Sequence, residues 1–344
     1  MKKQSKLLAL LLACAMTLAL SACGGSSATT STPAGSAAPA ASGSAAATGD
    51  KTYTIGICQL VQHNALDAAT KGFKDALTEK LGDKVKFVEQ NAAGDSATCA
   101  TICNQFVSSK VDLIMANATP ALQAATAATN SIPILGTSVT DYGTALSIAD
   151  WKGTTGTNVT GTADLAPLDK QAEMIKTLFP DAKNVGILYC SAEPNSKYQS
   201  TEITKYLTDD GYTCKEYTFA DSNDVAAVTK TACDESDVLY IPTDNTAASC
   251  AESINNIAEP AKVPIVAGES GICTGCGVAT LSIDYYDLGV VTGNMAYEVL
   301  VNGADPATTE IQFAPKTTYQ YMADRCEKLG VKVPSDYVAI EAEK

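Results

Sequence analysis

The residues with chemistry to offer are few, and most stand just past short apolar runs. His63, the sole histidine, follows the run at 53–58, and Ala118 and Thr119 follow the run at 111–116. Ser138 and Thr140 come after 132–135, Asn195 after 184–190, Asp244 and Asn245 after 237–241, and Glu269 after 263–267. Asp284 opens a later helical pattern. These types suit binding. A helix N-terminus at Ala118-Thr119-Pro120 offers free N–H groups and a positive dipole end to an anion, and the hydroxyls of Ser138 and Thr140 could add donors. Asp244, Glu269 and Asp284 are carboxylates able to accept from a cation, with Asn195 reaching the same space. Together they describe the two ends of a zwitterion. Each also has a plainer reading: Thr119, Asn195 and Asp244 with Asn245 as helix caps, Asp284 as a hinge hydrogen bond.

Other chemistries lack their residues. There is no Gly-x-Ser-x-Gly elbow, no phosphate-binding loop and no pair of Cys-x-x-Cys motifs, and one histidine neither holds a metal nor supports much general-base chemistry. Neither a cofactor nor a metal is expected, and no enzymatic activity. Arg325, the only arginine, stands in the C-terminal region, which argues against a bidentate carboxylate clamp. His63 is read as a ligand contact, Tyr142 as an aromatic wall beside Thr140-Asp141, and Trp151 as packing at a lobe edge. Twelve cysteines are many for an exported chain. Cys99 and Cys103 share a helix face, and Cys273-Thr274-Gly275-Cys276 lies in a Gly-rich loop. One or two disulfides, or none, are compatible with the spacing, and Cys58 and Cys190 read as small core residues.

Elements that would position these residues come in two similar sets. Ile55-Gly56-Ile57, Asp112-Leu113-Ile114 and Ile132-Pro133-Ile134 recur as Val185-Gly186-Ile187, Asp237-Val238-Leu239 and Val263-Pro264-Ile265. Short apolar runs followed by polar clusters and helical periodicity read as parallel strands feeding crossover helices. The first set has strands near 53–58, 85–90, 111–116 and 132–135 and helices near 64–80, 96–109 and 120–129, with Asn64, Ser96 and Thr119 as expected N-caps. The second has strands near 184–190, 214–219, 237–241 and 263–267 and helices near 165–179, 196–209, 224–233 and 246–259. A helix from Asp284 to Leu300 suggests a return to the first set, and another helix is expected near Thr318 to Leu329. The fold class is α/β, with two Rossmann-like lobes, hinges near 161–163, 281–285 and 309–315, and a ligand cleft beyond the carboxyl ends of the strands. Residues 52–161 with 284–310 are assigned to lobe 1 and 162–283 to lobe 2, with 311–344 unassigned.

Composition sets the location. Lys2, Lys3 and Lys6 precede an apolar run from Leu7 to Leu20, too short for an ordinary membrane span and shaped like a secretory signal over residues 1–22. Leu20-Ser21-Ala22-Cys23 resembles the lipobox of bacterial lipoproteins, in which Cys23 is lipidated and tethers the protein to the membrane. Residues 23–51 are the anchor cysteine and a linker of Gly, Ser, Ala, Thr and Pro that cannot fold, with a reach on the order of 30 Å. With 38 acidic against 24 basic residues and a net charge of −14, nucleic acid is an improbable partner.

Six short strings carry a family resemblance: His63-Asn64-Ala65-Leu66-Asp67, Asn117-Ala118-Thr119-Pro120-Ala121, Thr137-Ser138-Val139-Thr140-Asp141, Asn158-Val159-Thr160-Gly161, Pro242-Thr243-Asp244-Asn245-Thr246 and Ile283-Asp284-Tyr285-Tyr286-Asp287-Leu288-Gly289. In this order they resemble the signatures of TrpX-like ABC transporter substrate-binding proteins, over essentially all of the chain after the linker. The resemblance implies a type I periplasmic-binding-protein fold that closes on a small ligand and hands it to an ABC permease and its ATPase. Its best-understood members bind tryptophan or related aromatic amino acids. Asn64 and Tyr142 stand where the family commonly has proline, both beside the expected cleft. A ligand-sensing or adhesive lipoprotein is the alternative by class, and a nucleoside or sugar the alternative ligand, the latter disfavoured by the scarcity of Arg and Trp.

Overall fold

The computed structural model describes residues 51–341. The signal, the lipobox with Cys23 and the linker through Asp50 lie outside them. Described elements run in the order β1 (Tyr53–Gln59), α1 (Asn64–Leu81), β2 (Val85–Asn91), α2 (Ser96–Ser108), β3 (Leu113–Asn117), α3 (Thr119–Ala128), β4 (Ile134–Val139), α4 (Tyr142–Leu146) and β5 (Val159–Ala163). The second series is α5 (Leu168–Leu178), β6 (Asn184–Cys190), α6 (Pro194–Asp209), β7 (Thr213–Phe219), α7 (Val225–Glu235), β8 (Val238–Ile241), α8 (Asn245–Ser249), α9 (Ala251–Ala261), β9 (Ile265–Ala267), α10 (Ser270–Cys276) and β10 (Ala279–Ile283). The chain ends in α11 (Tyr285–Val301), β11 (Gln312–Phe313), β12 (Thr317–Tyr321), α12 (Ala323–Leu329) and β13 (Val338–Ala339).

Two sheets result, ordered β11-β5-β4-β3-β1-β2 and β13-β12-β10-β9-β8-β6-β7. All pairings are parallel except β10 with β12. Strands β3, β4 and β8 are buried at every position, which is why their sequences do not alternate apolar with polar. Edge strand β2 is mostly exposed or half-buried. Each sheet has a core on both faces: α2 and α3 cover one side of the first and α1 and α11 the other. In the second, α7, α9 and α10 cover one side and α5, α6 and α12 the other. Helices α1 and α11 approach backbone to backbone: a Cβ on Gly72 would sit 2.1 Å from the Tyr286 carbonyl oxygen, and one on Gly289 2.1 Å from that of Ala69.

The chain passes between the sheets three times, at 164–167, at Asp284 and at 314–316. The boundary expected at 161/162 falls inside β5, a strand of the first sheet. In the unassigned tail, β11 joins the first sheet, while β12 and β13 join the second and α12 packs there. The helix expected from Thr318 begins only at Ala323, because Thr317-Thr318-Tyr319-Gln320-Tyr321 is β-branched and aromatic and pairs with β10. All three expected N-caps are off by one position. Asp95 rather than Ser96 caps α2, accepting from the Thr98 N–H at 2.8 Å, and Asn64 is the first residue of α1, after His63. The third, Thr119, is likewise the first residue of α3, after Ala118. All ten described cysteines are free thiols, eight of them buried.

Candidate functional site

Strand ends of the two lobes meet at two hydrogen bonds, His63 with Asn245 and Gln199 with Thr140. In lobe 1, β3 leaves through Ala118 at φ +87° and β4 ends through Ser138 at φ +53°. Neither is glycine, and such angles cost about 1–3 kcal/mol each, a strain that proteins concentrate where geometry serves a ligand. The Thr137 carbonyl accepts from the Ala118 N–H at 3.0 Å, tying the two bends together. Beside them the hydroxyls of Thr119 and Ser138 are buried without a hydrogen-bond partner. Buried polar groups are seldom left so, and unmet ones call for a missing partner. Thr140 Oγ1 donates to Asp164 Oδ1 at 3.1 Å, and Asp164 Oδ2 accepts from the Tyr285 hydroxyl at 2.9 Å. Burial pushes the Asp164 carboxyl up to about 6, against the pull of these two hydroxyls.

Lobe 2 supplies a denser polar network. Glu193, 4% exposed, accepts from the Asn245 and Thr246 backbone N–H groups at 3.0 and 2.8 Å, from Asn245 Nδ2 at 2.6 Å, from Thr246 Oγ1 at 2.8 Å and from Asn195 Nδ2 at 3.1 Å. Asn195 Oδ1 is buried and unpartnered. Asp244 caps α8 through the Ala247 N–H and also accepts from the Cys190 N–H and Ser196 Oγ, each at 2.7 Å. Its carboxyl is pushed up to about 8, by burial first and then by the charge of Glu193. Glu269 caps α10, accepting from the Gly271 and Ile272 N–H groups at 2.5 Å, and burial raises it too.

The lobes touch at those two hydrogen bonds. His63 Nε2 lies 3.2 Å from Asn245 Oδ1, and Gln199 Nε2 donates to Thr140 Oγ1 at 3.4 Å. His63 Nδ1 is buried and unpartnered. At the mouth is a cavity of about 300 Å³ lined from lobe 1 by Leu60, Val61, Ser96 and Pro120 and from lobe 2 by Glu193, Asn245 and Thr246 among others.

Three sequence expectations need correction. Tyr142 is no cleft wall: it is fully buried in the lobe 1 core, stacked on Trp151 at 6.2 Å and donating to the Thr162 carbonyl at 3.1 Å. Asp284 is exposed, caps α11 through the Asp287 N–H at 3.0 Å, and lines a separate groove with Tyr286 and Lys316. Asp244 and Glu269 are buried, and their oxygens are already committed to helix caps and neighbouring donors. Sequence reasoning missed Glu193, Gln199, Asp164 and Tyr285. The signals available were an acid directly before Pro194-Asn195 and another directly after Thr162-Ala163. Arg325 is spent elsewhere, donating to the carbonyls of Cys273, Thr274, Gly275 and Gly277 at 2.8–3.1 Å. Among the described residues no group of three or more His, Cys, Asp or Glu side chains could hold a metal ion.

Residues 54–344 match the family model described as ABC transporter substrate binding protein. A tyrosine-binding protein of Clostridioides difficile strain R20291 is 40% identical over 265 residues, 75% of this chain and 76% of that one. A domain from Streptococcus pneumoniae solved with L-Trp is 33% identical, with a TM-score of 0.79 over 83% of this chain and 97% of that one. The ligand-free, open structure of a substrate-binding protein with adhesive properties from Clostridium difficile is 36% identical, with a TM-score of 0.65 over 85% of this chain and 100% of that one. The backbone thus superposes better on the L-Trp complex than on the open form of a more identical relative, in keeping with the hydrogen bonds between the lobes.

Proposed function

The chain belongs to the ABC transporter substrate-binding protein family, and from that premise we propose that it captures an amino acid with an aromatic side chain, tryptophan or tyrosine, by closing its two lobes. The observation that carries this reading is that polar atoms of both lobes, at the strand ends the sequence singled out, are buried without a partner: Thr119 Oγ1, Ser138 Oγ, His63 Nδ1 and Asn195 Oδ1. The ligand carboxylate is assigned to the N-terminus of α3, with the Thr119 and Ser138 hydroxyls as donors, and Thr140 stands beside it. The ammonium is assigned to the lobe 2 side, where Glu193, Asn195 and Glu269 are buried. Support for the aromatic class comes from the relatives, one named for tyrosine and one solved with L-Trp.

In this reading the protein carries out no reaction of its own. It works outside the cytoplasm, held to the membrane by lipid on Cys23, and delivers its ligand to an ABC permease and ATPase. A thermal-shift screen against the twenty amino acids, nucleosides and sugars tests the ligand class, since whatever binds the native state stabilises it. Stabilisation by tryptophan or tyrosine is the expected outcome, and stabilisation by nucleosides or sugars alone would refute it. The adhesive relative, 36% identical, favours a second reading in which the same lipoprotein acts at the cell surface. Deletion that abolishes adhesion while leaving amino-acid uptake intact would favour that role.

A further inference from the structure

Glu193 touches neither of the hydroxyls that await a carboxylate, yet its contacts decide what the opposite side of the site can bind. A carboxylate only accepts hydrogen bonds, so every group turned toward it must present a donor. Asn245 does so with Nδ2, at 2.6 Å from Glu193 Oε2, which leaves Asn245 Oδ1 facing His63 Nε2 at 3.2 Å. An oxygen acceptor there requires the proton on Nε2, so the neutral ring keeps a bare lone pair on the buried, unpartnered Nδ1. Asn195 is oriented in the same way. Its Nδ2 points at Glu193 Oε2 at 3.1 Å and at the Thr243 carbonyl at 3.1 Å, so its Oδ1 is the atom left buried and unmet. One carboxylate thereby turns two amides and, across the cleft, one imidazole, so that what remains open is acceptors only.

We infer that Glu193 is the positioning residue that makes this side of the site select a ligand carrying hydrogen-bond donors, the ammonium group of an amino acid, with Asn195 Oδ1 and His63 Nδ1 as acceptors. The inference rests on the amino-acid reading above and deepens it. It also assigns the ammonium to neutral acceptors instead of to Asp244 and Glu269, whose oxygens are taken up by helix caps.

The test is calorimetry with L-tyrosine, L-tryptophan and their analogues without the amino group, 3-(4-hydroxyphenyl)propionate and indole-3-propionate. Wild type should prefer the amino acid. In Glu193→Gln an amide nitrogen faces the two asparagines, whose side chains must turn, and the preference should fall at least tenfold through loss of charge-assisted hydrogen bonds. Asn195→Leu removes one acceptor while leaving Glu193 its hold on Asn245, and should lower the preference in the same direction. It decides the matter if Glu193→Gln does not fold. A merely structural role for Glu193 would weaken amino acid and analogue alike. An undiminished preference in the variants would overturn the inference, whereas failure of wild type to bind either amino acid would strike the reading beneath it.

Discussion

Thr119 and Ser138 end in hydroxyls that nothing among the described residues satisfies, and each follows or occupies a backbone position costly for a side chain. If they hold a carboxylate, Thr119→Val should weaken binding by about 1.5–3 kcal/mol, roughly ten- to a hundredfold, with little change in unfolding temperature, as read by calorimetry and a thermal melt. Ala118 gives the complementary result. At φ +87° and ψ 157° it occupies a region that glycine alone enters freely, so Ala118→Gly should raise stability of the empty protein by about 1 kcal/mol after the entropy of the extra freedom is subtracted. The buried acids give a pH dependence. Asp164 near 6 and Asp244 near 8 both lie above the 3.8 they start from, so the native state holds more protons than the unfolded chain. Stability of the empty protein should therefore fall as pH rises from about 4 to about 8. An ammonium ligand reverses the burden by favouring ionised carboxylates, so ligand-induced stabilisation should grow over the same range. Melts at pH 5 and pH 8, with and without L-tyrosine, check both signs.

Among elements, the contact of α1 with α11 is the least forgiving. Gly289→Ala would put a methyl within 2.1 Å of the Ala69 carbonyl oxygen, and the helices must part to admit it. The expected cost is about 1–3 kcal/mol, seen as a lower denaturant midpoint with an unchanged slope. The periodic elements were the readable ones. Strands β1, β3, β6, β8 and β9 and the start of β4 are mostly apolar because both their faces are covered, and covered strands leave a plain mark. By contrast β5 is Val-Thr-Gly-Thr-Ala and β10 is Ala-Thr-Leu-Ser-Ile, buried strands written with hydroxyls and small residues. Short helices α4, α8 and α10 have too few turns to show a period. Strand-end logic singled out residues such as Thr119, Ser138, Asn195 and Asn245, all of which are buried. It could not find the role of Glu193, whose partners at Asn245 and Thr246 lie more than fifty residues along the chain. Nor could it separate Asp284, an exposed cap, from Asp164, a buried acid, since both simply follow strands.

For the whole molecule, the account depends on one relation between the lobes. The ligand groups proposed above come from both sheets, and only three short crossings join them. The hydrogen bonds His63 to Asn245 and Gln199 to Thr140 exist only when the lobes are together, and at 3.2 and 3.4 Å they are modest. Closed and empty, the protein keeps Thr119 Oγ1, Ser138 Oγ, His63 Nδ1 and Asn195 Oδ1 unsatisfied and several carboxylates desolvated, so without ligand the open arrangement should gain. The ligand restores the balance by meeting those atoms. Small-angle scattering of residues 51–344 with and without saturating L-tyrosine or L-tryptophan tests this directly. The account predicts a smaller radius of gyration with ligand, matching the closed structure, and a larger one without. An identical radius in both, with binding verified by calorimetry in the same sample, would contradict it.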